Sequence, residues 1–239
     1  MELNLLIIRP RQDADLLSND LNKIGIKTTI FPIFKFINLN PVLPDIKEFK
    51  YILTSSRNGI RTFAKNFTER ELTLYVVGEG SAQEAKNQGF KNIIVGNNSM
   101  SELCKNINST LNKNSGKLLY VSGVYQNYDV TRYLRFNGYR IENLVLYDLN
   151  PISYLSEGVL KKLEDGIING VLFFSPRSAI IFSDLLKKAR KDNIAEQLRA
   201  FCLSKKIAEK VNKLNWKMTY VSATSNKASL IDLLSYLCK

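Results

Sequence analysis

The sequence predicts an α/β protein of two similar domains, each a parallel β-sheet flanked by helices, joined by a two-stranded extended linker. Three observations support this prediction. Short apolar runs alternate with amphipathic segments, the pattern of a parallel sheet that is covered on both faces. Gly25, Gly89 and Gly138 follow three predicted helices, in the position where glycine commonly ends a helix. Finally, one strand–loop–helix segment is written twice.

The first half of the chain opens with a β-α-β unit: strand 3–8, helix 13–24 and strand 26–31, with an extended exit at 34–36. A loop with Pro41 and Pro44 follows, then a helical turn at 45–49. The next predicted elements are strand 51–54, helix 58–65, strand 74–77, helix 82–88, strand 92–95 and helix 101–111, with Ser101 as a candidate N-cap.

The second half repeats this plan. Strand 117–121, helix 128–137 and strand 139–147 form a second β-α-β unit, and a second strand–loop–helix series runs from 171 to 237. When the two halves are aligned, Gly138 corresponds to Gly25, and Tyr147 then corresponds to Phe34. The segment 77–82 has a counterpart at 203–208.

The clearest repeat joins YILTSSRNGIRTF (51–63) to LFFSPRSAIIF (172–182), with Thr54 over Phe174 at an offset of 120 residues (174 − 54). Each copy is an apolar run, a hydroxyl-rich turn with one arginine, and a helix start. The free N–H groups and positive end of a helix suit anions. One copy alone would indicate a helix cap, whereas two equivalent copies favour two half-sites that face each other.

The order of these segments predicts which parts form each domain. We expect residues 1–36 with 150–239 to form the first domain, and 37–149 to form the second. The chain would cross between them near 35–39 and 147–152. These extended residues would serve as a hinge, with the ligand in a cleft between the domains.

Composition narrows the function. The chain has 239 residues, 45% hydrophobic and 23% charged, with no apolar run of the roughly 20 residues that span a bilayer. Its first residues lack the basic region of a signal peptide, so we expect a cytoplasmic protein that does not bind membranes. It contains no histidine, which excludes Ser-His-Asp and Cys-His catalysis and histidine metal sites. The three cysteines lack CxxC spacing, which indicates neither disulfides nor a zinc site.

The net charge is +12. It is consistent with a nucleic-acid partner, with a polyanionic small substrate, or with a solvated lysine-rich surface. The Gly78-Glu79-Gly80 turn resembles the start of a dinucleotide fingerprint, but Gln83 stands where that motif requires Gly or Ala, and no phosphate-binding GxxxxGK[ST] exists. We therefore expect no nucleotide cofactor.

Five motifs follow one another over nearly the whole chain: the Arg9-Pro10 start, LTSSRNG (53–59), VVG (76–78), Gly138 followed by VLY (145–147), and FSPRS (174–178). Their order and spacing resemble the uroporphyrinogen-III synthase family. One departure lies near the end, where Asn226-Lys227 follows Ala223-Thr224-Ser225 in place of the family's proline and hydroxyl residue.

The resemblance implies the family's two-domain fold and a cofactor-free enzyme. Its substrate would be hydroxymethylbilane, a linear tetrapyrrole with eight carboxylates. The enzyme removes the terminal hydroxyl, inverts the last pyrrole ring through a spiro-pyrrolenine intermediate, and closes the ring to uroporphyrinogen III. The resemblance also favours a monomer, and we hypothesise a transient hand-over from hydroxymethylbilane synthase. Eight carboxylates match hydroxyl loops, helix N-termini and a few cations without histidine or metal.

Tyr147 is the catalytic candidate, because a phenol at a strand end could give a proton to the leaving hydroxyl; an aromatic packed at the hinge is the other interpretation. The candidate substrate-binding residues are the hydroxyl and glycine positions Thr54, Ser55, Ser56, Gly78, Ser81, Ser122, Gly123, Ser175, Ser178, Thr224 and Ser225, and the cations Arg9, Arg11 and Arg177. Helix capping for the hydroxyls and surface exposure for the arginines are the alternatives.

Two other functions fit the same sequence. One is a two-domain protein that closes on a small molecule without chemistry. The other is a nucleic-acid-binding protein, with tyrosines 120, 125, 128, 133 and 139 interleaved with Arg132, Arg135 and Arg140 as a stacking surface. That segment is more typical of a strand, turn, helix and strand with half of the rings in the core, so we expect no nucleic-acid partner.

Overall fold

The computed structural model describes residues 2–96 and 99–238. It divides into two compact units. The first comprises Met1–Lys35 with Asn150–Lys239, and the second comprises Phe36–Leu149.

The strands follow one another along the chain as β1 (Asn4–Ile7), β2 (Lys27–Ile30), β3 (Phe34–Asn38), β4 (Phe49–Thr54), β5 (Thr73–Val77), β6 (Ile93–Gly96), β7 (Lys117–Gly123), β8 (Ile141–Pro151), β9 (Gly170–Phe173), β10 (Arg199–Cys202) and β11 (Met218–Val221). The helices are α1 (Arg11–Asn22), α2 (Arg57–Asn66), α3 (Glu79–Asn87), α4 (Met100–Thr110), α5 (Val130–Phe136), α6 (Glu157–Glu164), α7 (Pro176–Lys188), α8 (Lys205–Val211) and α9 (Lys227–Cys238). Two 3-10 turns lie at Ile46–Glu48 and Asp192–Gln197.

The two sheets share one strand order. The first unit has β11-β10-β9-β1-β2, and the second has β6-β5-β4-β7-β8 with β3 added at the edge beside β8. The pairs of the first five-stranded order are parallel, as are their counterparts in the second sheet. Each sheet therefore places all its strand-to-helix turns at one edge. The predicted α/β class with two parallel sheets is confirmed.

Strand β8 is longer than predicted. It continues four residues beyond Tyr147, to Pro151, because this end pairs with β3. The Leu39 N–H donates to the Leu146 carbonyl (2.9 Å), and the Ile152 N–H donates to the Ile33 carbonyl (3.1 Å). These two bonds relate the strands in opposite directions, as in an antiparallel pair. Tyr147 consequently lies within a strand and not at its end.

Both faces of each sheet are buried. In the first unit, Leu6 and Phe173 belong to the cluster on one face, and Leu5 and Phe201 to the cluster on the other. In the second unit, two further clusters cover the two faces in the same way. Near-continuous apolar strands are typical of parallel sheets covered on both sides.

The caps of the helices correct the alignment of the repeat. Ser56 caps α2 and accepts the Gly59 N–H (3.0 Å), whereas Ser175 caps α7 and accepts the Ser178 N–H (3.1 Å). The equivalent residues are therefore 119 apart (175 − 56), not 120. The caps fix the alignment of the two copies, because the cap oxygen must lie three residues before the residue whose N–H it accepts.

The predicted cap of α4 was also wrong. Ser99, and not Ser101, accepts the Glu102 N–H (3.2 Å). Its counterpart in α9 is Asn226, whose side-chain oxygen accepts the Ser229 N–H (2.9 Å). Asn226, which stands where the family that the sequence resembles has proline, therefore caps α9, and asparagine is well suited to that position.

Two of the three thiols are shielded. Cys104 and Cys202 are buried, and burial raises the pKa of each thiol to about 12, so both stay protonated at neutral pH. Cys238 is partly exposed. Among the helices of the described residues, none has the length and apolar character needed to cross a bilayer.

Candidate functional site

The carboxyl edge of the second unit's sheet collects most of the predicted residues. Ser55 and Ser56 follow β4, Gly78 follows β5, and Gly123 ends β7. Ligands of open α/β sheets bind outside the carboxyl ends of the strands, where the loops and helix N-termini meet. This edge is therefore the candidate site within the second unit.

The hydroxyl of Tyr147 is bonded to the β4–α2 turn. The Ser56 Oγ lies 2.7 Å from the Tyr147 Oη, and either oxygen can be the donor. The same Ser56 oxygen accepts the Gly59 N–H at 3.0 Å. A hydroxyl that both caps a helix and bonds a phenol has little freedom to rotate, so the Tyr147 oxygen has a defined position.

The ring of Tyr147 is held on two sides. Phe36 stacks on it, with ring centroids 5.6 Å apart and an interplanar angle of 12°. On Gly123, an added Cβ would lie only 2.7 Å from a Tyr147 ring carbon. The side chain is buried, with 8% of the residue exposed. Tyr147 is thus packed as an aromatic ring and is also hydrogen-bonded through its hydroxyl. It has the features of both interpretations of this residue.

A β-bulge sets the direction of this ring. The β7–β8 register pairs Ser122 with Val145 but Gly123 with Tyr147, so it skips Leu146. As a result, Leu146 and Tyr147 both pack into the cluster that contains Ile52. Bulges occur beside active sites because they re-aim a side chain.

A second tyrosine lies in β7, in the cluster on the other face of the sheet. Tyr120 is buried (4% exposed), whereas Ser55 is exposed. Burial is the main cause that raises the pKa of Tyr120 to about 12, and the nearby Ser55 hydroxyl acts in the opposite direction. The phenol therefore stays protonated at neutral pH and can donate a hydrogen bond.

A hydrogen bond and an ion pair link helices α2 and α3 next to this edge. The Arg57 Nε donates to the Gly80 carbonyl (3.0 Å), and Arg61 forms a shielded ion pair with Glu84 (2.7 Å). Gly78, with φ of 74°, starts α3 in a conformation that favours glycine. The two helix N-termini are held close to each other by these contacts.

Three predicted hydroxyls of the second unit are buried. Thr54 (1% exposed) contacts Gly59, where an added Cβ would meet its Oγ1 at 2.1 Å. The Ser81 N–H donates to the Gly78 carbonyl (3.1 Å). The Ser122 Oγ lies 2.8 Å from Asn143. These side chains support the strand-to-helix turns, and a ligand would reach Ser55 and Ser56 first.

In the first unit, the equivalent turn follows β9. Ser178 is buried, and its hydroxyl bonds back to Ser175, which remains partly exposed. The Arg177 guanidinium lies over the Phe34 ring at 5.0 Å from its centroid. This turn therefore joins a hydroxyl, an arginine and an aromatic ring.

The two remaining candidate arginines of the first unit make local contacts. Arg9 pairs with the buried Asp13 (2.8 Å) and lies over the Phe174 ring (4.3 Å). Arg11 is exposed and pairs with Asp15 (2.9 Å). Both pairs join residues four apart in sequence: Arg9 precedes α1 and pairs with a residue of its first turn, whereas Arg11 and Asp15 both lie in α1.

Thr224 and Ser225 are exposed in the β11–α9 turn. The Asn226 amide donates to the Thr224 Oγ1 (3.0 Å), and the Thr224 N–H donates to Ser229 (3.1 Å). This turn is ordered by its own hydrogen bonds and presents hydroxyls at the carboxyl edge of the first sheet.

Phe36 and Arg57 were not among the candidate site residues of the sequence analysis. Arg57 was visible as the arginine of the repeated turn. Phe36 gave no comparable signal, because its role depends on the pairing of β3 with β8.

Two capping serines offer a matched comparison, because Ser99 caps α4 and is not a candidate binding residue. We expect Ser56→Ala and Ser99→Ala each to lower the free energy of unfolding by about 1 kcal/mol, because each loses a cap. Only Ser56→Ala also removes the partner of Tyr147, so it alone should lower kcat, by roughly tenfold. Chemical denaturation and steady-state kinetics on both variants test this; equal kcat values in the two variants would contradict a catalytic role for the Ser56–Tyr147 bond.

Fold and site define an enzyme-like α/β protein of two parallel-sheet units with hydroxyl-lined helix N-termini. The family model described as uroporphyrinogen-III synthase HemD matches residues 15–232. The chain therefore belongs to the uroporphyrinogen-III synthase family.

Individual relatives agree with this membership. The porphyrin biosynthesis protein HemD of Ruminiclostridium josui is 26% identical over 96% of this chain, and the chain spans about half (47%) of the length of that relative. The structure of uroporphyrinogen-III synthetase from Helicobacter pylori has the same fold (TM-score 0.65, 13% identity, 99% of this chain and 100% of that one). A mutant uroporphyrinogen III synthase from Thermus thermophilus is similar (TM-score 0.58, 15% identity, 99% and 97%).

Proposed function

We propose that this chain converts hydroxymethylbilane to uroporphyrinogen III, with loss of water and inversion of the last pyrrole ring through a spiro-pyrrolenine intermediate. Family membership supports the proposal, and the observation that carries it is the Tyr147 hydroxyl held by Ser56 at the carboxyl edge of the second sheet. The proposal includes a cytoplasmic monomer that receives its substrate from hydroxymethylbilane synthase.

The first step needs a proton at the hydroxymethyl group. We assign that proton to Tyr147, since a phenol with an ordinary pKa near 10 is protonated at neutral pH and can act as an acid. As the C–O bond breaks, the pyrrole nitrogen supplies the electron pair, water leaves, and the azafulvenium cation, which keeps its N–H proton, remains beside the phenolate. The Ser56 hydroxyl can then donate to the phenolate oxygen and stabilise it.

The second task is to decide which carbon attacks the azafulvenium cation. Attack by the substituted carbon of the last ring gives the spiro intermediate, whereas attack by the free carbon gives the non-inverted product. Holding the chain in the bent form that favours the first attack is a problem of orientation. The exposed hydroxyls of Ser55, Ser175, Thr224 and Ser225, with the cations Arg9, Arg11 and Arg177, are our proposed ligands for the carboxylates, and Thr54, Gly78, Ser81, Ser122, Gly123 and Ser178 shape the turns that carry them.

The net charge of +12 supports a polyanionic substrate by raising its encounter rate. The same charge also fits a nucleic-acid surface, and the segment considered for one is divided between core and surface. Tyr120 and Tyr139 are buried, whereas Tyr125 is exposed. We keep the polyanionic small substrate as the proposal because the buried rings cannot stack on bases.

A coupled assay tests the proposed function. Freshly generated hydroxymethylbilane is supplied to the protein, and the oxidised porphyrin isomers are separated by chromatography. We expect the type III isomer, while the reaction without protein gives type I and serves as the control. Type I alone at all protein concentrations would refute the synthase and favour a non-catalytic binding protein.

A further inference from the structure

The ring of Phe36 is accessible beside the proposed acid. Phe36 lies in β3, the edge strand of the second unit's sheet, and stacks on Tyr147 with ring centroids 5.6 Å apart and an interplanar angle of 12°. A parallel stack covers one face of a ring, and 37% of Phe36 nevertheless remains exposed, whereas Tyr147 is only 8% exposed. Phe36 is therefore the member of the stacked pair that offers a ligand a large apolar area.

The surroundings of the Tyr147 hydroxyl bring a bound pyrrole close to this ring. Ser56 lies on one side of the hydroxyl, 2.7 Å from it. At Gly123, an added Cβ would lie 2.9 Å from the Tyr147 Cζ, the carbon that carries the hydroxyl. With the Phe36 and Tyr147 rings parallel and 5.6 Å apart, a pyrrole whose hydroxymethyl group bonds the phenol can lie within about 6 Å of the Phe36 centroid, the range over which an aromatic face attracts a cation.

We propose that Phe36 is a catalytic residue whose ring stabilises the azafulvenium cation. This inference rests on the proposed function and deepens it. The Tyr147 proton moves to the hydroxymethyl oxygen, the C–O bond breaks, and water leaves with the electron pair of that bond. The pyrrole ring then carries the positive charge and Tyr147 the negative charge, while Phe36 exchanges neither atoms nor electrons and acts through the negative face of its π system.

An aromatic face suits this cation better than an anionic side chain does. The azafulvenium carbon is a strong electrophile, so a carboxylate, thiolate or amine placed against it would add to it and trap the enzyme. A phenylalanine ring attracts the charge without offering such a nucleophile. Because the pyrrole is uncharged until the C–O bond breaks, the attraction is absent in the bound substrate. An interaction of this kind raises kcat and leaves KM nearly unchanged.

The experiment replaces Phe36 with mono-, di- and trifluorinated phenylalanine and measures kcat, KM and type III product. Each fluorine withdraws electron density from the ring face, so the attraction for a cation falls stepwise while the ring keeps its shape. Stacking on the electron-rich ring of Tyr147 is not weakened by the same change. We expect log kcat to fall in proportion to the loss of cation affinity, by roughly tenfold at the trifluorinated ring, with KM within about twofold of the parent.

Phe136 provides the control, because it lies at the end of α5 and is 90% exposed. The same fluorinated series at Phe136 should leave kcat unchanged. Equal kcat across the Phe36 series, or an equal decline in the Phe136 series, would overturn the inference.

Natural amino acids give a second test if the fluorinated proteins cannot be made. Phe36→Tyr keeps an aromatic face and should retain kcat within about twofold, whereas Phe36→Leu keeps apolar bulk alone and should lower kcat roughly tenfold. Parent-like kcat in a folded Phe36→Leu variant would count decisively against a role for the ring. Failure of the proposed function is distinguishable, because the parent protein would then give no type III isomer.

Discussion

Tyr147→Phe is expected to lower kcat about 100-fold while KM stays within about twofold. The substitution removes only the phenol oxygen, which lies 2.7 Å from the Ser56 hydroxyl. General acids contribute roughly 100- to 10,000-fold to a rate. Hydroxide is a poor leaving group, so its departure as water requires a general acid. Steady-state kinetics with quantified type III product measures the effect.

Tyr220→Phe is a suitable control for that experiment. The Tyr220 ring also stacks on a phenylalanine, Phe201, with centroids 5.2 Å apart and an interplanar angle of 9°. Loss of its oxygen should leave kcat unchanged, and both variants should melt close to the parent. Full kcat in Tyr147→Phe would show that Tyr147 is a packed ring and not the acid.

Gly123→Ala is expected to lower kcat by a similar factor of about 100 without any change at a polar group. The new methyl would lie 2.7 Å from the Tyr147 ring, with Phe36 stacked on the same ring. The ring must shift, and a misplacement of about 1 Å can cost 100-fold in rate. Overpacking should also lower the free energy of unfolding by about 1–3 kcal/mol.

Gly158→Ala separates this effect from a general cost of adding a methyl group. Gly158 lies in the first turn of α6, where an added Cβ meets nothing within 4 Å. We expect unchanged kcat and a gain of up to about 1 kcal/mol in unfolding free energy. Parent-like activity in Gly123→Ala would mean that Gly123 does not set the position of Tyr147.

The alternating pattern was sufficient to predict the fold class, because buried parallel strands and glycine-ended helices are local signals. The Gly25 and Gly138 turns illustrate this: the bonds from Ile26 to Leu21 and from Tyr139 to Leu134 are the same in both copies. The position of the helix cap within the serine-rich turn was harder to predict. Ser55 and Ser56 are both good caps, and only the helix start at Arg57 decides between them.

The parts of the site that the sequence did not reveal depend on pairing across strands. The bulge that turns Tyr147 lies between two pairs, Ser122 with Val145 and Gly123 with Tyr147, whose members are far apart in sequence. Likewise, Phe36 reaches Tyr147 only because β3 joins the edge of the second sheet. Register is a property of two segments together, so no single segment discloses it.

The two repeats and the two units do not coincide. Each unit takes its β-α-β opening from one repeat and its strand–loop–helix series from the other. A chain that held one repeat alone would lack part of the strands of either sheet, so neither unit can form from a single repeat. The two copies also differ in chemistry, since the hydroxyl is present at Tyr147 and absent at its counterpart Phe34. The proposed acid therefore belongs to the second unit alone, although both repeats are needed to build that unit.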